Sequence, residues 1–288
     1  MSRLCVIKGG TSGGGFEIGA GRPLAVIGGP CVIESEAMCL SIAMTLRDVC
    51  AKLGLPYIFK ASFDKANRTS GSSPRGPGLN EGLDVLAMVR EKVGVPVTTD
   101  VHDPAQAEPA AKVVDVLQIP AFLCRQTDLL VAAGQAAAAH KRAVNVKKGQ
   151  FVSPTEMAHP VAKLAQAGCA NTMLTERGTF FGYNRLVNDF IGIADMMELN
   201  AEGGPPPVCF DATHSTQLPG AGPGVTAGRR ERVPMRARAA VAAGVHALFI
   251  ECHPEPAKAR SDAATMLALD EVPHLLSTLA RIRGAVGA

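Results

Sequence analysis

Short apolar runs rich in Val, Ile and Leu recur along the chain, and longer amphipathic stretches separate most of them. Eight of these runs have the length and composition of buried strands. They span residues 24–27, 56–61, 95–99, 113–119, 143–146, 171–174, 208–211 and 247–251. Strands that alternate with helices are typical of parallel sheets, and eight such strands can close into a barrel. The pattern therefore predicts an α/β fold, a (β/α)8 TIM barrel.

The stretches between the runs have the periodicity of helices that bury one face. We expect helices at residues 36–53, 81–92, 128–140, 154–167, 187–199, 233–243 and 266–283. Residues 1–22 precede the first run, and the glycines of "GGTSGGG" favour a loop or a hairpin there. The sequence thus predicts an N-terminal extension (1–22) without chemistry and one catalytic barrel domain (23–288).

The composition narrows the class of protein. Hydrophobic residues make up 47% of the 288 residues and charged residues 19%, which excludes a disordered chain. A net charge of only +3 gives no reason to expect nucleic acid or a membrane as a partner. The eight cysteines form no CxxC pair, the N-terminus lacks a signal-peptide core, and no apolar stretch reaches the ~18 residues of a membrane span. We therefore expect a cytoplasmic enzyme with reduced thiols.

Polar and charged side chains gather where the apolar runs end. This group comprises Cys31, Lys60, Asp100, His102, Gln118, Lys147, Glu176, Arg177, Asp211, His214, Glu251 and His253. In a parallel barrel these ends converge on one mouth, where barrel enzymes carry their active sites. Any single strand end can be polar merely because it is exposed. The cations among them, in a chain that is nearly neutral overall, favour the binding of more than one anionic group.

The segment 59–70, "FKASFDKANRTS", is the richest in hydrogen-bond donors. Its cationic and neutral donors are Lys60, Lys65, Asn67, Arg68, Thr69 and Ser70. This set resembles a cradle for a phosphosugar, although a solvated loop with incidental charges has the same composition. Lys60 also allows a different enzyme class, because a desolvated lysine at a strand end can form a Schiff base with a carbonyl substrate.

Four residues form a candidate metal site: Cys31, His214, Glu251 and Asp262. One sulfur, one imidazole nitrogen and carboxylate oxygens suit Mn, Fe, Co or Zn better than Mg or Ca. Their spacing along the chain is not diagnostic, since each lies in a separate loop or strand end, and a free cysteine after a strand is more often structural. From the residues alone, two interpretations stay open: a metal site, or a structural cysteine with no role in metal binding.

Several longer strings carry a family resemblance. They are "GPCVIES", "FKASFDKANRTS", "GPGLNEGL", "TDVHD", "LQIPAFLCRQTDLL", "NVKKGQF", "TERGTFFGYNRLVNDF", "FDATHSTQLPG" and "ECHPEPAKARSDA", which span residues 28–267 in order. Together they closely resemble the 3-deoxy-D-manno-octulosonate 8-phosphate synthase family. The resemblance implies a (β/α)8 barrel, usually a homotetramer, that condenses phosphoenolpyruvate with D-arabinose 5-phosphate and water for lipopolysaccharide biosynthesis.

The resemblance also implies roles for individual residues. Lys60, Lys147 and Arg177 would bind phosphoenolpyruvate, with Gln118 and Ala121 lining that pocket. Asn67, Arg68 and Thr69 would bind arabinose 5-phosphate, and Arg125 would reach its phosphate from a neighbouring subunit. The implied catalytic residues are Lys65, Asp100, Cys31, His214 and Asp262.

Cys31 decides between two branches of this family, because the metal-independent branch has Asn at that position. Cys31, together with "ARSDA" around Asp262, is similar to the metal-dependent branch and implies a divalent metal cofactor. Thr69 stands where Ser is common, and it keeps the hydroxyl. Three alternatives stay open: a 3-deoxy-arabino-heptulosonate 7-phosphate synthase, against which "KANRTS" argues; a Schiff-base aldolase acting through Lys60; and a non-catalytic sugar-phosphate-binding barrel.

Overall fold

The computed structural model describes residues 2–9, 14–66, 75–222 and 226–287. Its strands are β1 (Cys5–Ile7), β2 (Phe16–Ile18), β3 (Ala25–Gly29), β4 (Tyr57–Lys60), β5 (Val97–Asp100), β6 (Val116–Ile119), β7 (Ala143–Lys147), β8 (Thr172–Glu176), β9 (Thr179–Phe180), β10 (Leu186–Val187), β11 (Val208–Asp211), β12 (Gln217–Leu218), β13 (Ala227–Gly228), β14 (Ala247–His253) and β15 (Leu267–Ala268). Its helices are α1 (Glu36–Leu53), α2 (Leu79–Val93), α3 (Pro104–Val113), α4 (Thr127–His140), α5 (Ala158–Gln166), α6 (Phe190–Met197), α7 (Val233–Ala242) and α8 (Val272–Val286).

Eight of these strands form a closed parallel barrel. The order is β3, β4, β5, β6, β7, β8, β11 and β14, and β14 pairs with β3 to complete the circle. Every residue of these strands is buried, as a sheet covered by helices on the outside and by its own side chains inside requires. The (β/α)8 barrel predicted from the apolar runs is therefore confirmed.

The predicted set of helices was wrong in two places. It omitted α3, a short helix whose buried face consists of the small residues Ala107, Ala110 and Ala111, so that its apolar periodicity is weak. The Asp103 side chain caps this helix by accepting a hydrogen bond from the Ala105 N–H at 2.8 Å. The last helix begins at Val272 instead of residue 266, because Leu267–Ala268 forms β15 and pairs with the end of β14.

Strands β1 and β2 pair antiparallel and cover the N-terminal end of the barrel. Cys5, Ile7 and Ile18 are fully buried in one cluster with interior barrel residues such as Ile27. The Asn171 side chain extends this attachment, since it accepts from the Val6 N–H and donates to the Val6 carbonyl, each at 2.8 Å. The cover leaves the opposite, C-terminal end of the barrel for a site.

Strands β3 and β4 approach each other closely where the site begins. A Cβ on Gly29 would lie 2.0 Å from the Lys60 carbonyl oxygen, so that only glycine fits there. This approach brings the Cys31 carbonyl within 3.0 Å of the Lys60 Nζ, which donates to it. Among the described helices, none is both long enough and apolar enough to cross a lipid bilayer.

Candidate active site

A cavity of about 620 Å³ opens at the C-terminal end of the barrel. Most of the residues predicted for the site line it, namely Lys60, Lys65, Asp100, Ala121, Lys147, Arg177, His214 and Asp262. Each follows or ends a strand or lies in the loop after it, which is why a parallel barrel brings them together. The predicted residues Asn67, Arg68 and Thr69 lie outside the described residues.

Cys31, His214, Glu251 and Asp262 converge beside this cavity. One potential ligand atom from each lies within 4.8 Å of all the others. The Cys31 Sγ is 3.0 Å from the Asp262 Oδ2, and the His214 Nε2 is 3.4 Å from the Glu251 Oε2. Four protein atoms at about 2.0–2.3 Å from a common ion would have separations of this size. The structure thus brings together the four residues that the sequence proposed as ligands.

The surroundings of these four residues fit a divalent metal ion. The His214 Nδ1 lies 2.7 Å from the Asp211 Oδ2, the usual arrangement in which a carboxylate orients a metal-binding imidazole and leaves Nε2 free to coordinate. The Glu251 Oε2 is buried and has no hydrogen-bond partner in the described part of the chain. Burial chiefly raises the pKa of the Cys31 thiol, which therefore keeps a proton and donates to Asp262 until a cation replaces that proton.

Asp262 has a strained backbone. Its φ of +50° lies in the left-handed region, which Asp tolerates better than most residues but at a cost. The Thr265 N–H donates to the Asp262 carbonyl at 2.9 Å and holds the loop in this conformation. Burial alone would raise the pKa of Asp262, but His214, Lys65 and hydrogen bonds from Cys31 and Gln217 keep it well below its usual value. The carboxylate is therefore ionised, as a metal ligand must be.

Three buried cations line the cavity, in addition to Lys65 and Arg260. The Lys60 Nζ, whose residue is 1% exposed, contacts the Glu251 Oε1 at 2.5 Å. The Lys147 Nζ contacts the Asp211 Oδ2 at 2.6 Å and lies 3.7 Å above the Phe249 ring. The Arg177 Nη2 donates to the Gln217 Oε1 at 2.6 Å, whereas its buried Nη1 finds no acceptor among the described residues. Such an arrangement can bind a small molecule with two anionic groups.

Asp100 lies at the base of the cavity in a chain of hydrogen bonds. The Ser62 hydroxyl donates to its Oδ2 at 2.5 Å and the Gln118 Nε2 donates to its Oδ1 at 2.7 Å. The Lys65 Nζ donates to the Ser62 hydroxyl at 2.9 Å. Burial would raise the pKa of Asp100, but Lys60, Lys65 and Lys147 lower it far below its usual value. Asp100 is therefore a fixed anion among cations.

Two of the predicted binding residues do not line this cavity. Gln118 is fully buried below it, where it orients Asp100 and accepts from the Asn145 amide at 3.0 Å. Arg125 lies outside the barrel wall and lines a second cavity of about 450 Å³. The roles predicted for them in substrate binding stay predictions.

Sequence reasoning missed two residues of the site. Ser62 connects Lys65 to Asp100, and Gln217 connects Arg177 to Asp262. Both lie within strings that carried the family resemblance, "FKASFDKANRTS" and "FDATHSTQLPG". No charge or ligand chemistry distinguishes either one, so that only their contacts reveal them.

Sequence comparisons with known proteins identify relatives of this chain. A sequence model of the DAHP synthetase I family matches residues 7–286. A protein of Desulfotalea psychrophila named 2-dehydro-3-deoxyphosphooctonate aldolase is 52% identical over 275 residues, covering 96% of this chain and 95% of that protein. Proteins of the same name from Cyanothece sp. and Pelobacter propionicus are each 54% identical. The Cyanothece match covers 94% of this chain and 96% of that protein, and the Pelobacter match covers 95% and 97%.

Proposed function

The chain belongs to the DAHP synthetase I family, and we propose that it condenses phosphoenolpyruvate with D-arabinose 5-phosphate and water to give 3-deoxy-D-manno-octulosonate 8-phosphate and inorganic phosphate. Its relatives at 52% and 54% identity are named 2-dehydro-3-deoxyphosphooctonate aldolase, a second name for this eight-carbon synthase. The enzyme is a transferase, and its product serves lipopolysaccharide biosynthesis.

One observation carries this proposal: three buried cations line one cavity at the mouth of the barrel, and a group of four metal-type ligands lies directly beside it. Phosphoenolpyruvate has a phosphate and a carboxylate, and Lys60, Lys147 and Arg177 supply the positive charge to bind both. The Arg177 Nη1 has no acceptor within the described part of the chain, and leaving such a buried donor unsatisfied would be costly, so it adds a donor that an anionic ligand can satisfy.

The reaction needs both substrates bound side by side, with their reacting carbons facing each other. The nucleophilic C3 of phosphoenolpyruvate bonds to the C1 aldehyde of arabinose 5-phosphate, and the aldehyde oxygen takes a proton. The oxygen of water bonds to C2, and the bond from C2 to the phosphate oxygen then breaks, which leaves a ketone and inorganic phosphate. Of the two protons of that water, one balances the proton taken by the aldehyde oxygen and the other leaves with the phosphate. Holding both reactants near attack geometry can remove about 7–11 kcal/mol of the barrier.

Two residues at the base of the cavity act on the reacting groups in this proposal. Asp100 stays ionised and can orient the water that adds at C2 by accepting a hydrogen bond from it. Lys65 is charged: burial lowers its pKa, but the carboxylates of Glu251, Asp100 and Asp262 raise it. It can therefore donate a proton to the aldehyde oxygen. Ser62 holds both side chains in place.

Cys31, His214, Glu251 and Asp262 would hold a divalent ion in the metal-dependent manner, with Mn, Fe, Co or Zn suited to one thiolate among nitrogen and oxygen donors. Such an ion would supply Lewis-acid chemistry at the aldehyde or at the water. The Lys60 Nζ donates to the Glu251 carboxylate and to the Cys31 carbonyl in the same cluster, and these two contacts occupy the amine and disfavour Schiff-base formation.

The arabinose 5-phosphate end of the site belongs to residues 67–69 and to Arg125 of a neighbouring subunit in our proposal. Large aromatic residues are exposed: Phe122 and Phe180 line the cavity, and Phe151, Phe181 and Tyr183 are exposed elsewhere on the surface. Exposed apolar groups of this size favour burial against another subunit, which supports the homotetramer expected from the sequence. The cytoplasmic location stays a prediction.

A direct assay tests the proposed function. Purified protein is incubated with phosphoenolpyruvate and either arabinose 5-phosphate or erythrose 4-phosphate, and phosphate release is followed with the product mass. We expect phosphate release with arabinose 5-phosphate and an eight-carbon product. Preference for erythrose 4-phosphate would instead assign the seven-carbon synthase. Reduction with borohydride should trap no substrate on Lys60, and a trapped adduct would favour the aldolase alternative.

A further inference from the structure

Each cation of the phosphoenolpyruvate site is connected to a different residue of the metal group. Lys60 contacts Glu251 directly, and Lys147 shares the Asp211 carboxylate with His214. The third connection, from Arg177 to Asp262, passes through Gln217. The anion site and the metal group are therefore one hydrogen-bonded unit.

Gln217 is the only neutral bridge of these three, and nothing in the proposed reaction uses it. Its Oε1 accepts from the Arg177 Nη2 at 2.6 Å, and its Nε2 donates to the Asp262 Oδ1 at 2.7 Å. It lies in β12, where it pairs with Gly228 of β13, and its side chain lines the cavity. Gln217 can therefore be changed without removing a charge or a metal ligand.

The two contacts of Gln217 are made or lost together. An amide has one acceptor atom and one donor group, and a rotation that reverses them would put its N–H groups against the guanidinium and its oxygen against the carboxylate. The fixed orientation directs Oδ1 of Asp262 to Gln217 and leaves Oδ2 at 3.0 Å from the Cys31 Sγ. An anion that fixes Arg177 thus also fixes the carboxylate that faces the metal position.

We propose that Gln217 is a positioning residue that couples the two sites, so that phosphoenolpyruvate bound at Arg177 raises the affinity of the Cys31, His214, Glu251 and Asp262 group for its metal ion. This inference rests on the proposed function. Coupling of this kind is reciprocal: the metal raises the affinity for phosphoenolpyruvate by the same factor. Typical coupling factors between two sites are about 5-fold to 150-fold.

The test measures the coupling factor instead of turnover. This factor is the dissociation constant of Co²⁺ without phosphoenolpyruvate divided by the constant with saturating phosphoenolpyruvate. Metal-free protein is titrated with Co²⁺, with and without saturating phosphoenolpyruvate, and the thiolate-to-cobalt absorption of Cys31 reports binding. We expect phosphoenolpyruvate to tighten Co²⁺ binding at least about 5-fold in the natural chain. In Gln217→Ala this factor should fall to within 2-fold of unity, while the absorption band itself persists. Gln135→Ala, which changes an exposed glutamine on α4, should keep the natural factor.

A second variant covers the case in which Gln217→Ala does not fold. Gln217→Glu keeps an acceptor for Arg177 but places a carboxylate against Asp262. Its coupling factor should therefore be lower than that of the natural chain. An unchanged circular dichroism spectrum shows that this variant is folded. An unchanged factor in either folded variant, or a factor of one in the natural chain, would overturn the coupling. If the natural chain neither releases phosphate nor binds phosphoenolpyruvate, the proposed function is overturned instead.

Discussion

Replacing Asp211 distinguishes effects on the candidate metal site from effects on the stability of the barrel. Its fully buried carboxylate accepts from the Lys147 Nζ at 2.6 Å and from the backbone N–H of His214 at 2.9 Å. It also contacts the imidazole Nδ1 of His214 at 2.7 Å. Burial would raise its pKa, but His214 and Lys147 hold the pKa far below its usual value. Asp211→Asn keeps the shape of the side chain and removes the charge.

We expect two effects of this change. Removing one partner of a buried ion pair leaves Lys147 without its counter-charge, which costs about 3–5 kcal/mol of the free energy of unfolding. The second effect falls on the metal, since the amide no longer orients the His214 imidazole as a carboxylate does. Loss of such an outer partner typically lowers metal affinity about 10–100-fold. Urea unfolding and Co²⁺ titration measure the two effects separately.

Asp115→Asn is the matched control. Asp115 is as buried as Asp211, and it accepts from Arg90 at 2.9 Å and from Arg142 at 3.0 Å, but it precedes β6 at the opposite end of the barrel. This variant should lose stability on a similar scale and keep its Co²⁺ affinity. If both variants weaken metal binding equally, or if Asp211→Asn binds Co²⁺ within 2-fold of the natural chain, the assignment of Asp211 to the site is wrong.

Three further predictions concern Cys31, Arg68 and His246. Chelation should abolish activity, Mn or Co should restore it, and Cys31→Ala should lose metal affinity and turnover but stay folded; full turnover by protein shown metal-free by elemental analysis would contradict this. Arg68→Ala should raise KM for arabinose 5-phosphate far more than KM for phosphoenolpyruvate, and equal increases in steady-state kinetics would argue against that division. Burial chiefly lowers the pKa of His246 to about 4, so that the folded protein keeps it neutral and stability falls by up to about 3 kcal/mol as the pH drops from about 6.5 to about 4. Urea unfolding across this range should show a weaker pH dependence in His246→Gln, and an identical dependence would refute the role of His246.

Much of the architecture follows from local patterns in the chain. Apolar runs of strand length and the helical stretches between them predict a parallel barrel, and the barrel then brings Lys60, Lys147 and Arg177 to one end. The pattern fails where the local signal is weak, as in α3, whose buried face is made of alanines. It also fails where a long-range pairing overrides it, as at β15, which delays the start of α8.

The sequence by itself determined the barrel and most of the charged side chains at its mouth, because strand ends of a closed parallel sheet converge whatever the loops do. Only the tertiary structure decided which of those side chains touch. Lys60 and Glu251 are 191 residues apart and Gln217 and Asp262 are 45 apart, yet each pair is in hydrogen-bond contact. Such contacts depend on the register of β3, β4 and β14 and on loop conformations such as that of Asp262. No periodicity in the chain encodes them, because each is a distance between residues that the fold alone brings together.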